Sequence, residues 1–260
     1  MMIPTDGATG AKKVIFALDV PSKIEALPLI EKLAKVVGYF KIGLELMSGP
    51  DGAFLARAIV EAGGRVFLDL KAHDIPNTVE GCARNAARVG VHLLTVHALG
   101  GESMMRAAVK GAASTNSEMK ILAITVLTSH TAEDLCKIGL ISRWQLFLAK
   151  LSKRHAKKLM QKKAVDLAKL AKKSGCHGIV CSPEETIAMR EALGSDLLIV
   201  NPGIRKAGAE IQDQARVGTA GQAMQDGASL VVIGRPLRNA MDPAAEARSF
   251  GAEIEAALGT

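Results

Sequence analysis

A short apolar run followed by a longer alanine-rich or amphipathic stretch recurs along this 260-residue chain, and that rhythm limits the folds open to it. The strand-like runs are Val14–Asp19, Tyr39–Gly43, Val66–Leu70, Leu93–His97, Ile121–Leu127, Gly178–Cys181, Leu197–Asn201 and Leu230–Ile233. Helical patterns lie between them, among them Ile24–Val37, Gly52–Ala62, Val79–Val89, Ser103–Ala113 and Pro183–Leu193. Eight strands alternating with helices over this length match an α/β fold of the (β/α)8 TIM-barrel type. An open doubly wound sheet would need a glycine-rich dinucleotide loop after its first strand. After Asp19 the chain reads Val20-Pro21-Ser22, without GxGxxG, so the barrel is favoured. The expected organisation is a disordered tail over 1–12 and a single barrel domain over 13–260.

Composition narrows the classes further. Hydrophobic residues make up 48% and charged residues 23% of the chain, as in a globular protein with a substantial core. No apolar run approaches the roughly 18 residues of a membrane span. The opening MMIPTDGATGAKK has no hydrophobic segment, so no secretory signal is expected and the cytoplasm is the expected compartment. Cys82, Cys136, Cys176 and Cys181 form no CxxC pair and read as reduced thiols.

The net charge of +7 is a local property. Between Arg143 and Lys173 lie eleven Lys/Arg and one acid, Asp166, a charge of +10 that leaves −3 for the remainder. With eight aromatics in the whole chain there is little material for base stacking, so neither nucleic acid nor membrane is an expected partner. The segment Gly139–Gly175 breaks the barrel rhythm. It reads as a basic helical insertion around 141–165, one or two amphipathic helices with an apolar stripe of Trp144, Leu148, Leu151 and Leu159. Lys150, Arg154 and Lys158 fall on another face, and a solvated lysine surface is the plain reading.

Barrel chemistry sits at the C-terminal ends of the strands. Those ends supply Asp19, Lys41, Asp69 with Lys71, His97, Thr128, Ser182, the run Asn201-Pro202-Gly203-Ile204-Arg205, and Gly234-Arg235. In the first three strands bulky residues alternate with a charged one: Val14, Phe16 and Leu18 against Asp19, Phe40, Ile42 and Leu44 against Lys41, Leu68 and Leu70 against Asp69 and Lys71. Side chains two apart share a strand face, so the charges should point into the barrel mouth and the apolar residues toward the helices. Asp69, Lys71 and Asp74 form D-x-K-x-x-D. Acids flanking a lysine favour its ammonium form, which suits a positioned cation and proton donor rather than a Schiff-base nucleophile. His73 should point away from Lys71 and serve structural hydrogen bonding. Ile75-Pro76-Asn77-Thr78 reads as a helix start with proline in the first turn and polar caps.

The Gly-Ile-Arg and Gly-Arg runs after the last two strands stand where barrels commonly bind phosphate, with glycine admitting backbone N–H groups and arginine matching phosphate oxygens. The polar stretch Lys206–Val217 between them suits a loop that closes over a ligand. No metal site stands out. Asp19, Asp69 and Asp74 could ligate Mg²⁺, but Lys41 and Lys71 already supply positive charge among them.

The blocks VIFALDV, FKIGLEL, FLDLKAHDIPNTV, TVHALGG, ITVLTS, VCSPEE, NPGIR and IGRPL resemble, in order, those of the orotidine 5′-phosphate decarboxylase family, from about Val14 to Asp242 except for the basic segment. The resemblance implies cofactor-free decarboxylation of orotidine 5′-monophosphate to UMP in pyrimidine synthesis, by a homodimer of barrels with active sites at the interface. It makes Lys71 the proton donor to C6 within an alternating network of Lys41, Asp69, Lys71 and Asp74. Asp74, with Ile75 and Thr78, would serve the site of the partner subunit. Asp19 and Lys41 would hold the ribose hydroxyls, and Thr128 with Ser129 the pyrimidine edge. Arg205, Gln214, Gly234 and Arg235 would grip the phosphate or close the loop onto it. Metal-dependent sugar-phosphate aldolases and decarboxylases share D-x-K-x-x-D but carry an acid where this chain has Lys41. A non-catalytic barrel that binds anions or RNA through its basic segment is a third reading, disfavoured by the intact charge network.

Overall fold

The computed structural model describes residues 10–115, 118–206 and 218–259. Eight parallel strands close into a barrel in sequence order: β1 (Val14–Ala17), β2 (Tyr39–Gly43), β3 (Val66–Ala72), β4 (Leu93–His97), β5 (Lys120–Ile124), β6 (Gly178–Val180), β7 (Leu198–Asn201) and β8 (Leu230–Ile233). The helices are α1 (Lys23–Leu33), α2 (Leu44–Ser48), α3 (Gly52–Glu61), α4 (Pro76–Arg88), α5 (Gly101–Ala113), α6 (Ala132–Lys137), α7 (Arg143–Leu151), α8 (Lys153–Lys173), α9 (Thr186–Leu193), α10 (Ala220–Gln225), α11 (Arg235–Arg238) and α12 (Pro243–Leu258). Of the tail expected over 1–12, residues 1–9 lie outside the described residues. Gly10–Lys13 forms a 3-10 helix against α12, so the last tail residues belong to the fold.

The period of two in the strands sorts the core into two compartments. Ile15, Ala17, Tyr39, Phe67, Leu93, Leu122, Val200, Leu230 and Val232 fill the inside of the barrel. The alternate residues, among them Phe16, Phe40, Ile42, Leu68, Leu94, Ile121, Ile179, Ile199 and Ile233, pack outward against the helices. Phe16 and Phe40 meet edge to face with centroids 6.0 Å apart, joining β1 to β2 on the outer side. The alternation expected for the first three strands is therefore present, and the next inward positions after Ala17, Tyr39 and Phe67 are Asp19, Lys41 and Asp69.

Five strands differ in their bounds from expectation: β1 ends at Ala17 instead of Asp19, β6 ends at Val180 instead of Cys181, β7 begins at Leu198 instead of Leu197, and β5 and β3 change as well. β5 stops at Ile124 instead of Leu127, because β6 offers partners only for Leu122, Ala123 and Ile124. β3 runs on to Ala72, and its register against β4 shifts. Leu68 pairs with Leu94 and Ala72 with Val96, so Asp69, Leu70 and Lys71 stand opposite Thr95 alone. That is a bulge with two surplus residues at the mouth of the barrel.

The basic insertion forms α7 and α8, two helices in a hairpin. Capping boxes at Thr131–Asp134 and Ser142–Gln145 start α6 and α7 and fix this excursion from the barrel rhythm. The expected apolar stripe splits. Leu159 packs against the outer core, whereas Trp144 and Leu151 are each 66% exposed and Trp144 stacks on Phe147 at 5.5 Å. The cysteines are free thiols, and burial pushes the Cys176 thiol up to about 12.

Three histidines hold backbone amides in their neutral form. Nδ1 of His92 accepts from Val66 N–H at 3.3 Å, Nδ1 of His177 from Ile121 N–H at 3.0 Å, and Nδ1 of His97 from Leu99 N–H at 3.3 Å. Burial first, then nearby cations, depresses all three: Arg65 acts on His92, Lys120 on His177, and His73, His130 and Lys71 on His97, which falls to about 4. In the unfolded chain these imidazoles protonate near 6.5, so the unfolded state binds more protons below that pH. Stability should therefore fall as pH drops from about 6.5 toward 5, before most carboxylates titrate. Urea unfolding at stepped pH measures the slope, and His177→Gln should make it shallower. A slope unchanged by that substitution would contradict the assignment.

Candidate active site

The C-terminal ends of the strands open on a cavity of about 420 Å³, in the range that encloses a small ligand. Asp19, Lys41, Asp69, Lys71, Thr128, Arg205, Gly234 and Arg235 all line it, on segments spread from β1 to β8. Eight of the positions singled out from the sequence are thus brought to one place. Ser129 is exposed and outside the lining, as are Asp74, Ile75 and Thr78. Gln214 lies outside the described residues.

The charges are arranged as two ion pairs. Lys41 Nζ meets Asp19 Oδ1 at 2.9 Å, and Lys71 Nζ meets Asp69 Oδ2 at 2.8 Å. The lysine is the more buried member of the first pair and the aspartate of the second. Gly43 makes room for the first pair, since a Cβ there would stand 3.3 Å from Lys41 Nζ and 3.7 Å from Asp19 Oδ1. Within one chain, Asp74 is in neither pair. Its Oδ1 accepts from Ile75 N–H at 2.6 Å at the exposed start of α4.

The second pair sits on the bulge. Lys71 has φ 50°, the single non-glycine residue with positive φ among the described residues. An L-residue there costs about 1–2 kcal/mol, so the surroundings must hold it. Thr95 supplies the hold from β4. Its Oγ1 accepts from Lys71 N–H at 2.8 Å and donates to Asp69 Oδ1 at 2.9 Å. Asp69 thus has one carboxylate oxygen on Thr95 and the other on the lysine. Thr95 was not singled out from the sequence; its one signal is a hydroxyl in the otherwise apolar run Leu93-Leu94-Thr95-Val96. His97, two residues on, stacks on His73 with centroids 5.7 Å apart, so His73 has a structural place beside the site.

The far wall is cationic. Gly203, with φ 80°, turns the chain after β7, and Arg205 follows it into the lining. Arg235 opens α11 directly after Gly234, with Pro236 in the first turn. Arg238 is a further lining residue that the sequence reading missed. It lies one turn beyond Arg235 and donates through Nη1 to the carbonyl of Asp19, tying β8 to β1. Among the described residues the lining carries five cationic side chains, Lys41, Lys71, Arg205, Arg235 and Arg238, against two aspartates. Such a cavity suits an anion at its Arg end and charge development at its lysine–aspartate end. Among the described residues no group of three His, Cys, Asp or Glu side chains could hold a metal ion.

Pro76 opens α4 at its first position, as the sequence suggests, but the cap residue is Ile75, and no side chain caps the helix. Asn77 and Thr78 are in the first turn with their side chains exposed.

Residues 12–250 match the model of the "Orotidine 5'-phosphate decarboxylase / HUMPS family". The chain belongs to that family. A curated relative from Anaeromyxobacter sp. (strain K), named orotidine 5′-phosphate decarboxylase, is 46% identical over 244 residues, spanning 94% of this chain and 99% of its own. A relative of the same name from Moorella thermoacetica is 43% identical, spanning 94% of this chain and 92% of its own. Among solved structures, orotidine 5′-phosphate decarboxylase from Lactobacillus acidophilus superposes with a TM-score of 0.74 at 34% identity, covering 93% of this chain and 98% of that one. The family match spans α7 and α8 as well as the barrel strands.

Proposed function

We propose that this barrel decarboxylates orotidine 5′-monophosphate to UMP, with the Lys71 ammonium delivering a proton to C6. The observation that carries the reading is the Lys71–Asp69 pair at 2.8 Å, aimed into a cavity whose opposite wall holds Arg205 and Arg235. Breaking the C6–carboxylate bond releases CO₂ and leaves its electron pair on C6, a vinyl carbanion with little resonance help. Stabilisation must then come from charge already in place, and an ammonium fixed beside C6 provides it. The proton moves from Lys71 Nζ to C6, giving UMP and a neutral amine that solvent reprotonates. Asp69 would lie near the departing carboxylate. The arginines bind the phosphate at the far end, and that remote binding energy helps hold the reacting ring against Lys71. Asp19 and Lys41 take the ribose hydroxyls, Thr128 and Ser129 the pyrimidine edge, and Gly234 approaches the phosphate. By the family resemblance Gln214 would join the same phosphate grip.

The metal-dependent branch of the family is the alternative. Lys41 speaks against it, because its ammonium stands on Asp19 where that chemistry would use another carboxylate to hold a cation. Following the ultraviolet change of orotidine 5′-monophosphate with and without a chelator separates the two. The proposal expects turnover in both, and a fall on the order of a thousandfold or more in Lys71→Ala with the fold retained. Turnover abolished by chelation, or retained in Lys71→Ala, would contradict it.

We further propose a cytoplasmic homodimer with shared active sites. Asp74, Ile75 and Thr78 are exposed at the rim, and Ile75, an apolar residue, is 65% exposed where a second copy could cover it. A site made from Lys71 of one subunit and Asp74 of the other should show complementation. Lys71→Ala and Asp74→Ala chains, each inactive alone, should recover about a quarter of wild-type activity when refolded as an equal mixture, since half the dimers are mixed and each has one intact site. No recovery in a mixture shown to contain mixed dimers would mean that each site is built within one chain.

A further inference from the structure

We propose that Thr95 is a positioning residue for the decarboxylation, its hydroxyl setting the aim of both Lys71 and Asp69; this rests on the function assigned to that pair. In the β3–β4 ladder the run Asp69, Leu70, Lys71 faces only Thr95. A bulge of this size leaves backbone groups of β3 without ladder partners. The Lys71 N–H is one of them, and the Thr95 side chain takes the place of the missing carbonyl at 2.8 Å. The same oxygen turns its proton to Asp69 Oδ1 at 2.9 Å. Thr95 itself is fully buried, so no solvent competes for either bond.

The consequence is mechanical. The backbone bond holds Lys71 in the left-handed region, where a lysine does not stay without compensation. The side-chain bond turns the Asp69 carboxylate so that its second oxygen faces Lys71 Nζ. One hydroxyl therefore fixes the lysine from its own backbone and from its counter-ion. Without that acceptor the chain at Lys71 is free to relax toward the β region, which re-aims a long side chain and moves its ammonium away from C6. Binding is a separate matter, because Arg205, Arg235 and Asp19 stand at the ends of other strands than the one that carries Thr95.

Thr95→Val keeps the shape and removes the hydroxyl, while Thr95→Ser keeps the hydroxyl and removes the methyl group. The expected result is a kcat about 100-fold lower for the valine variant, the loss typical of a reacting group displaced by about 1 Å. KM should stay within about threefold of wild type, and serine should recover kcat to within about tenfold. Calorimetric affinity for UMP should be unchanged in both variants. Amide hydrogen exchange at Lys71, read by NMR, should be faster in the valine variant and near wild type in the serine variant, with thermal unfolding showing both variants folded. The proposal is overturned if Thr95→Val keeps kcat within about threefold of wild type, if valine and serine are equally impaired, or if only KM rises. A wild-type protein without turnover would instead sink the decarboxylase reading. The clamp would then be judged by exchange alone, faster exchange at Lys71 in Thr95→Val upholding it and unchanged exchange refuting it.

Discussion

The ion pair between Lys71 and Asp69 depends on a flaw in the barrel. A regular β3 would set Asp69 opposite Thr95 and carry Leu70 and Lys71 on along the ladder. With two surplus residues, the strand instead bulges over Thr95 and folds Lys71 back onto Asp69 at 2.8 Å. The strain of a left-handed lysine is offset by three hydrogen bonds that form a closed ring through Thr95 Oγ1, the Asp69 carboxylate and Lys71. Thr95 anchors that ring from a fully buried position, and a charge held in place in this way is what stabilises a carbanion.

The remaining charges follow from barrel geometry. Inward-facing positions below the mouth are filled by Ile15, Tyr39, Phe67, Leu93 and Leu122, a buried plug that gives the charged layer above it a floor. Asp19 and Lys41 stand on neighbouring strands in that layer, and Arg238 laces the last strand to the first through the Asp19 carbonyl. The outer helices supply the other half of the core and leave the mouth open. The basic hairpin of α7 and α8 adds cationic surface and an exposed Trp144–Phe147 stack without contributing a residue to the cavity lining.

Much of this was legible from alternation alone. Phe16, Phe40 and Leu68 face the helices while Asp19, Lys41 and Asp69 face the mouth, as their spacing demands. The bulge was not legible, because it arises from a mismatch between two strands and no glycine marks the positive φ at Lys71. The reading that strict alternation places Lys71 beside Asp69 reached the right neighbour by a different geometry from the one found. Thr95 escaped notice for the same reason, since its role exists only opposite the bulge. Arg238 was hidden in a short helix that becomes visible once Arg235 is seen to open it. The splitting of the α7–α8 stripe could not be foreseen, as the sequence shows which residues are apolar but not where a two-helix hairpin turns back. Asp74 illustrates a further limit: within one chain its carboxylate accepts from the Ile75 N–H, and the shared-site role proposed for it needs a second subunit.

The most direct measurement is a crystal structure of the protein with UMP bound. The account predicts the uracil ring in the cavity at the ends of the strands, with Lys71 Nζ within about 3.5 Å of C6, Lys71 still left-handed on Thr95, and the phosphate on Arg235. Asp74 of the partner subunit should approach the same ammonium. A ring bound with C6 turned away from Lys71, or a Lys71 relaxed to extended backbone and pointing out of the cavity, would contradict it.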